Sequence, residues 1–495
     1  MRTEPLRSGE SQLPDTRLRV YSDSQLKELV RIIPDPERLV IDPSGIPQKY
    51  SQDHQQRSAG KAEILAKPLS TQEVSRILQW ASRHKVSVTP RGAGTNLTGS
   101  TVPLYGGLVL DLSGMNRILE LDEDTLTLTV EAGALLEDVQ AYAASRGYFY
   151  PPDPGEKKAT IGGNIATNAG GMRAVKYGVT RDYVRSLEAV FADGRICQVG
   201  TSTIKDASGL ALKESLIGSE GTLAVITRAK LKLIPAPQES LSLLAAFGDL
   251  EEAGACVLKI LQSGLQPVAL EFMTREVVTL GEDFLGIRYP FHQAGSYLLL
   301  TFDGSAGEVQ ASAQRLDKLV RENGGLDCLA LTDPAQAADI WKVRGALCTA
   351  VEAVSIQEPI DIVVPVNRIV EFIGFVTDLE KRSGLQMVSF GHAGDGNIHL
   401  CIVRGALDDR AWETGLAAVL EELYDHAYAC GGLASGEHGI GLQKRPYFLQ
   451  HSDPASIALM NGIKDAFDPA HILNEGKSYV LERTAQREGK GIRYA

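Results

Sequence analysis

The segment 390–400, with the sequence F-G-H-A-G-D-G-N-I-H-L, constrains the fold more than any other part of the chain. A Gly-rich turn lies at its centre, and apolar runs lie on both sides, over 385–390 and 398–403. Apolar runs joined by a short glycine-containing turn are typical of a β-hairpin. The pattern therefore predicts two antiparallel strands whose stems carry His392 and His399, with the two imidazole rings able to face each other.

Two facing imidazoles can bind a metal ion if a third ligand comes from elsewhere in the chain. Glu437 is the candidate, because it precedes His438 in the Gly-rich segment S-G-E-H-G at 435–439. Two histidines and one carboxylate leave coordination positions open for a substrate. The ordinary interpretation also stands, since a lone histidine is usually a surface residue and Gly-Asp-Gly-Asn forms a turn in many settings.

Composition excludes several classes of protein. A chain of 495 residues predicts two to four domains. Hydrophobic residues make up 43% and charged residues 23%, as in an ordinary globular protein. The formal net charge is -12 and the chain has no basic run, so we expect no nucleic-acid partner. An anionic substrate would need a local cationic group or a metal ion.

Cysteine usage and the N-terminal sequence bear on the cellular compartment. The six cysteines stand singly, without a C-x-x-C pair or an iron–sulfur pattern, which predicts a reducing compartment and no disulfide framework. Residues 1–20 contain no continuous apolar segment, so we expect a tail rather than a signal peptide. No apolar run reaches the roughly 18 residues of a membrane span. We expect a cytoplasmic protein, with peripheral membrane contact through a partner as an alternative.

The first half of the chain contains Gly-rich stretches that suggest a nucleotide-binding domain. Backbone amides of segment 90–100, P-R-G-A-G-T-N-L-T-G-S, could approach a pyrophosphate without hindrance from side chains. The spacing of Gly92, Gly94 and Gly99 does not fit the Rossmann fingerprint, and a strand over 107–112 follows instead of a helix. The pattern therefore favours another nucleotide-binding architecture, or a plain turn between two strands.

Small residues are also concentrated in 151–184 and in 217–227, where they would let the backbone lie against a flat ligand. Between and before these stretches, apolar periodicity predicts regular elements. These are helices over 22–33, 70–84 and 135–146 and a strand over 125–130.

From about 235 to 429 the glycine density drops and strands alternate with amphipathic helices. The predicted strands are 240–247, 268–273, 296–302 and 326–331, and the predicted helices are 250–262, 306–323, 334–354 and 412–428. This order predicts a second α+β domain, with an antiparallel sheet and helices on one of its faces.

At this point the chain resembles a known family. The stretches P-R-G-A-G-T-N-L-T-G, A-T-I-G-G-N-I-A-T-N-A-G-G-M-R, K-Y-G-V-T-R-D-Y-V and G-S-E-G-T-L resemble the FAD-binding domain of the vanillyl-alcohol-oxidase and para-cresol-methylhydroxylase type. G-H-A-G-D-G-N-I-H and S-G-E-H-G-I-G resemble its D-2-hydroxy-acid dehydrogenase branch, which includes D-lactate, glycolate and D-2-hydroxyglutarate dehydrogenases. The resemblance covers about 50–479 in unbroken order, so it is specific.

The resemblance implies an α+β fold built from a two-part FAD-binding domain, a cap and a C-terminal helical segment. We predict an N-terminal tail and helix over 1–49, the FAD-binding domain over 50–235 and the substrate or cap domain over 236–430. A segment over 431–480 would return to the flavin, and 481–495 would be a tail.

The same resemblance implies which residues bind FAD. Thr95 stands where some relatives carry a histidine bonded covalently to the flavin, so we expect non-covalent FAD. The implied cofactor-binding residues are Pro90, Arg91, Gly92, Ala93, Gly94, Thr95, Gly99, Ser100, Pro152, Thr160, Gly162, Gly163, Asn168, Ile226 and Asn474.

In this family context the flavin would take a hydride from the substrate carbon, and the protein would take the hydroxyl proton. We expect a divalent ion on His392, His399 and Glu437, zinc first and manganese or iron as alternatives, which would bind the substrate hydroxyl and carboxylate. His438 is the expected general base.

Two further residues are candidates for substrate binding. Arg344 matches the family's carboxylate-binding arginine, although its charge pattern alone would favour a solvated helix face. Asn397 could donate a hydrogen bond to the substrate or close its own turn.

Pro359 and Cys348 bear on the choice of substrate. They stand where relatives that accept a second carboxylate carry a lysine and a hydroxyl residue. Burying a carboxylate without a partner is costly, so we favour D-lactate or glycolate over D-2-hydroxyglutarate.

Alternative functions remain at this stage. They are an ether-lipid synthase, a non-catalytic subunit that transfers electrons, and a metallohydrolase, which would leave the Gly-rich stretches unexplained. The chain has no iron–sulfur, haem-attachment or nicotinamide motif, so electrons would leave to a quinone, a carrier protein, a partner subunit or oxygen. The sequence also allows a homodimer.

Overall fold

The computed structural model describes residues 21–481, so the predicted tail over 1–20 and residues 482–495 lie outside the described part. Its first unit is a four-stranded sheet in the order β1-β2-β4-β3, in which β2, β4 and β3 run parallel. The elements are α1 (Asp23–Ile32), β1 (Leu39–Val40), β2 (Ile64–Ala66), α2 (Thr71–His84), β3 (Val88–Arg91) and β4 (Leu108–Asp111).

Helix α2 shows why this unit folds as the sequence predicts. The Ser70 hydroxyl caps the helix by accepting a hydrogen bond from the Glu73 amide at 3.2 Å. Apolar residues spaced three and four apart give the helix one buried face, which includes Trp80. The same core contains Leu29 and Ile33 at the end of α1. Helix α1 is therefore part of the packed core of this first unit.

The second unit is a five-stranded antiparallel sheet in the order β5-β6-β10-β8-β9. Its Gly-rich loops face the first unit across a shared cavity. The elements are β5 (Ile118–Asp122), β6 (Thr127–Glu131), α3 (Leu136–Ser145), β7 (Tyr148–Phe149), α4 (Ile161–Thr167), α5 (Ala174–Tyr177), α6 (Thr180–Tyr183), β8 (Val184–Val190), β9 (Ile196–Gly200), α7 (Leu212–Leu216), β10 (Val225–Lys232) and β11 (Ile234–Pro235), with β7 and β11 forming a separate ribbon.

The third unit is a seven-stranded antiparallel sheet in the order β15-β12-β14-β13-β17-β18-β16. All strands predicted for this region are present, and β17 and β18 form the expected hairpin. The elements are β12 (Glu239–Phe247), α8 (Leu250–Gln262), β13 (Ala269–Thr274), α9 (Arg275–Leu285), β14 (Ser296–Gly304), α10 (Ala306–Glu322), β15 (Asp327–Ala330), α11 (Pro334–Val354), β16 (Gln357–Val363), α12 (Ile369–Ser383), β17 (Gln386–His392), β18 (Asn397–Val403) and α13 (Asp409–Ala429).

Helices cover both faces of this sheet, so the expectation of helices on one face is wrong. Side chains alternate along a strand, and on β14 Leu298 and Leu300 pack with α8, α10, α12 and α13. Tyr297 and Leu299 point the other way and pack with α9 and α11. Because most strands are apolar on both sides, the sheet needs a helical layer on each.

Three elements of the third unit, α9, β16 and α12, were not evident from the sequence pattern. Helix α9 contains Val277, Val278 and Gly281, which have low helix propensity, and packing against α11 stabilises it. Strand β16 contains Pro359, which obscures the strand pattern, but β16 is an edge strand, where a proline is tolerated.

The C-terminal segment returns to the first unit. It passes through α14 (Arg445–His451) and α15 (Pro454–Phe467) and then lies beside β3, where Leu473 bridges to Val88. Lys477 is buried and donates a hydrogen bond to the Ser100 carbonyl at 2.8 Å. Within 21–481, no helix has the length and apolar character needed to cross a membrane.

Candidate functional site

One face of the third sheet carries a row of polar side chains. Glu271 on β13 lies opposite His392 on β17, and His399 on β18 lies opposite Asp361 on β16. Residues directly opposite in antiparallel strands share a face, and His392 and Asn397 are opposite as well. These five residues therefore lie on the face that α9 and α11 cover only in part.

The three predicted metal ligands come together at this face. The Nε2 atoms of His392 and His399 are 3.3 Å apart. Oε1 of Glu437 lies 3.4 Å from Nε2 of His399 and 4.0 Å from Nε2 of His392. These three atoms surround a space that a single ion can fill.

Glu271 orients this cluster from behind. It is fully buried, and its Oε1 accepts a hydrogen bond from Nδ1 of His392 at 2.8 Å. A proton on Nδ1 leaves the lone pair of Nε2 directed at His399 and Glu437, an arrangement typical of metal-binding histidines. The other oxygen of Glu271 accepts a hydrogen bond from Nε of Arg344 at 2.9 Å. One carboxylate therefore fixes both a predicted metal ligand and the predicted substrate arginine.

Asp361 fixes the loop that carries Glu437 and His438. Its oxygens accept hydrogen bonds from the amides of Gly436 at 3.1 Å, Glu437 at 3.1 Å and His438 at 2.9 Å. Lys444 forms a buried ion pair with it at 3.1 Å. Burial alone would raise the pKa of Asp361, but the charge of Lys444 and the hydrogen bond from the His438 amide hold it well below its ordinary value. Asp361 is thus a charged anchor for the loop.

Burial and neighbouring charges shift the pKa values of the ionisable groups in this cluster. Burial raises the pKa of Glu437 to about 7 and lowers the pKa of His438 to about 4. Burial would also lower the pKa of His392, but the charge of Glu271 raises it to about 9. Oε2 of Glu437 is buried without a hydrogen-bond partner. A divalent cation would satisfy this oxygen and keep Glu437 ionised, so the residues present fit a metal ion.

A single cavity of about 570 Å³ joins this cluster to the Gly-rich loops of the first two units. That volume lies within the range of roughly 300–1,000 Å³ typical of ligand and cofactor sites. Arg344, His392, His399, Glu437 and His438 line one part of the cavity. Twelve predicted cofactor residues also line it: Pro90, Arg91, Gly92, Ala93, Gly94, Thr95, Ser100, Thr160, Gly162, Gly163, Ile226 and Asn474.

The other three predicted cofactor residues, Gly99, Pro152 and Asn168, do not line this cavity, and their contact with FAD stays a prediction. Gly99 lies next to Leu442, and a Cβ atom at position 99 would be 3.2 Å from the Leu442 side chain. The Pro152 carbonyl accepts a hydrogen bond from Gln140, and Asn168 ends α4 in the left-handed conformation.

The loops of the two units meet closely enough to form a narrow cradle. A Cβ atom on Gly92 would lie 2.2 Å from the Thr160 hydroxyl oxygen, so the loops need glycine here. Glu220 joins the same loops to the C-terminal segment by accepting hydrogen bonds from the amides of Ile440 and Gly441 at 3.0 and 2.9 Å. A backbone-lined cradle of this kind fits the flat and extended form of FAD.

Asn397 forms its hydrogen bonds within the protein. Its amide nitrogen donates to Oδ1 of Asp361 at 2.7 Å and to the Ile362 carbonyl at 3.0 Å, and it does not line the cavity. Both amide hydrogens are therefore used within the protein and support Asp361, and a role of Asn397 toward the substrate stays a prediction. Arg344 is not a solvated helix-face residue, since it is buried and lines the cavity.

Sequence reasoning missed Glu271 and Asp361. Each is an acidic residue inside an apolar strand, in V-A-L-E-F-M and P-I-D-I-V-V. An acidic residue at such a position must be paired when buried, which is the signal that could have identified both.

Comparisons with known proteins agree with this geometry. Residues 62–200 match the model of the FAD binding domain family, and 236–478 match that of the FAD linked oxidases, C-terminal domain. The chain is 43% identical over 427 residues to a D-lactate dehydrogenase of Anaerostipes hadrus, covering 84% of this chain and 90% of that protein. It is 36% identical over 437 residues to the glycolate oxidase subunit GlcD of Bacillus subtilis (strain 168), covering 88% and 92%.

A crystal structure of p-cresol methylhydroxylase with substrate bound superposes with a TM-score of 0.74 at 14% identity, over 92% of this chain and 96% of that chain. This likeness concerns the fold alone. It confirms the vanillyl-alcohol-oxidase and para-cresol-methylhydroxylase type of fold that the sequence motifs predicted.

Replacing Glu271 with Gln should weaken metal binding, because the amide holds His392 less firmly and makes its Nε2 less basic. We expect the affinity for Zn²⁺ to fall roughly 10- to 100-fold, measured by competition with a chromophoric chelator. The exposed Glu276→Gln on α9 is the matched control and should leave the affinity unchanged. Equal affinities in folded samples of the two variants would contradict this role of Glu271.

Proposed function

Because the chain belongs to the FAD-linked oxidases, in the group of D-lactate, glycolate and D-2-hydroxyglutarate dehydrogenases, we propose that it oxidises a small D-2-hydroxy acid to the 2-oxo acid. The observation that carries this proposal is the single cavity, which brings the Gly-rich loops together with two histidines, a glutamate and Arg344. An electron-transfer subunit without its own substrate would have no need for this second group of residues.

FAD, when bound, accepts the hydride from the substrate carbon. We propose that it is held non-covalently, since Thr95 lines the cavity and a threonine hydroxyl does not form the histidine linkage of some relatives. A divalent cation on His392, His399 and Glu437, with zinc favoured, would lower the pKa of the substrate hydroxyl.

Arg344 is the proposed partner of the substrate carboxylate. Its contacts with Glu271 use Nε and Nη2, and Nη1 takes no part in that pair. The guanidinium also lies over the Phe390 ring at 5.2 Å, which fixes its plane. A guanidinium held on two sides loses little further freedom when it binds a carboxylate.

His438 is the proposed general base. Its backbone amide is fixed by Asp361, and its ring stacks on that of His399 with centroids 5.7 Å apart. Nε2 of His438 lies 3.8 Å from Oε1 of Glu437, so the imidazole borders the proposed metal position. A neutral imidazole there can accept the hydroxyl proton as the hydride leaves the adjacent carbon, which completes a two-electron oxidation.

Cys348 and Pro359 support a substrate with a short side chain. Both line the cavity near Arg344, and neither supplies a positive charge for a second carboxylate. Arg57, which is near Pro359 in a neighbouring cavity, already forms an ion pair with Glu358. A distal carboxylate would therefore be buried without a partner. We propose D-lactate or glycolate as the substrate, with D-2-hydroxyglutarate as the alternative.

The experiment that tests this proposal is anaerobic bleaching of the flavin absorbance. D-lactate, L-lactate, glycolate and D-2-hydroxyglutarate are added separately to the holoprotein, before and after metal removal. We expect bleaching by D-lactate or glycolate, little by L-lactate, and loss of bleaching after chelation that Zn²⁺ restores. A kcat/KM for D-2-hydroxyglutarate well above that for D-lactate would reject the short substrate. No bleaching by any of these acids, with metal and flavin both present, would reject the proposed reaction.

Replacing His438 with Asn should slow the reductive step by roughly 10²- to 10⁴-fold, the usual contribution of a positioned general base. The amide keeps a similar size, so the content of zinc and FAD should stay at the wild-type level. His451→Asn, at the end of α14 and outside the cavity, serves as the control and should bleach at the normal rate. Rapid-mixing spectroscopy gives both rates, and a normal rate in His438→Asn would exclude this residue as the base.

A further inference from the structure

A second group of metal-binding side chains lies where the C-terminal end of α13 meets α12. His426 and Cys430 are one helical turn apart at the end of α13, and Glu371 lies in the first turn of α12. Sγ of Cys430 lies 3.6 Å from Nε2 of His426 and 3.7 Å from Oε1 of Glu371. None of the three lines the cavity described above, so this group is separate from the proposed active site.

The spacing of these atoms fits one tetrahedral ion. With Zn–S near 2.3 Å and Zn–N near 2.0–2.1 Å, two ligands at a tetrahedral angle are about 3.5 Å apart. The observed separations of 3.6 and 3.7 Å are close to that value. Little movement would be needed to bind zinc.

The surroundings hold the three side chains in this arrangement. The His426 ring stacks on that of Phe375, with centroids 3.9 Å apart and an interplanar angle of 14°. Arg368 pairs with Oε2 of Glu371, so that Oε1 is the oxygen directed at the thiol. The negative end of the α13 macrodipole lies at Cys430 and favours a cation there. Glu371 is exposed and Cys430 is buried, which leaves the site open on its Glu371 side.

We propose that Glu371, His426 and Cys430 bind a structural zinc ion, with water as the fourth ligand. A thiolate, an imidazole and a carboxylate suit zinc, and the thiol proton of Cys430 leaves to solvent as the ion binds. The ion joins α12 to the end of α13. From there the chain continues through Leu433, whose amide donates to the Val363 carbonyl at 2.9 Å, into the loop that Asp361 holds. A zinc ion at Glu371, His426 and Cys430 thus stabilises the base of the loop that carries Glu437.

Sulfur distinguishes this site from the cavity site, whose ligands are nitrogen and oxygen. The holoprotein is equilibrated with Zn²⁺, desalted, and analysed for zinc per flavin and by zinc K-edge X-ray absorption. We expect a sulfur shell at about 2.3 Å in the wild type. Cys430→Ser should lose that shell and one equivalent of zinc. The control is Cys328→Ser, which replaces a half-buried cysteine on β15 of the third unit and should keep both the sulfur shell and the zinc.

The test does not depend on the proposed reaction, because the sulfur shell reports this site whatever the cavity binds. Absence of a zinc–sulfur shell in the wild type would overturn the proposal without any variant. A sulfur shell that persists unchanged in Cys430→Ser would overturn it as well. If Cys430→Ser does not fold, the wild-type spectrum decides the question together with Glu371→Gln, which should lose the same equivalent of zinc.

Discussion

The carboxylate of Asp361 is the constraint on which the rest of the site depends. It lies at the centre of a buried network that gathers three successive backbone amides, the hydroxyl of Ser435 and the ammonium of Lys444. A buried charge is tolerated only when its lone pairs are satisfied in this way, and removing one partner would be strongly destabilising. The network therefore holds the loop of Glu437 and His438 against the edge of the sheet with little freedom. The proposed metal ligands on the hairpin and on the loop can meet because Asp361 fixes the loop.

Glu271 on β13 has a similar positioning role on the opposite side of the two histidines. It lies between His392 and Arg344, so it sets the orientation of a proposed metal ligand and of a proposed substrate ligand together. These polar residues lie on the four neighbouring strands β13, β17, β18 and β16, which are packed between helices. The spacing of these strands therefore sets the distances between the side chains. The proposed metal binding and the proposed carboxylate recognition thus depend on one buried side chain.

Much of this arrangement could be predicted from the sequence. The hairpin, the two histidines on its stems and Glu437 were evident from local pattern, and the structure brings them together. Glu271 and Asp361 were missed because their importance depends on strand register. Glu271 is paired with His392, which is 121 positions away in the chain, and no local periodicity reports such a pairing. For Asn397 the local pattern allowed a hydrogen bond to the substrate or closure of its own turn, and it gave no sign of the contacts with Asp361 and the Ile362 carbonyl, which depend on the neighbouring strand. Helix α9 of the second helical layer was missed because its valines and glycine have low helix propensity, and packing against α11 stabilises it.

The central claim is that one divalent ion lies between His392, His399 and Glu437, at the border of the cavity that binds FAD. Anomalous diffraction at the zinc edge from crystals of the holoprotein tests this claim most directly. We predict a peak about 2.0–2.2 Å from Nε2 of each histidine and from a carboxylate oxygen of Glu437. A fully loaded crystal with no peak among these three residues, or with a histidine ring turned away from the others, would contradict the account.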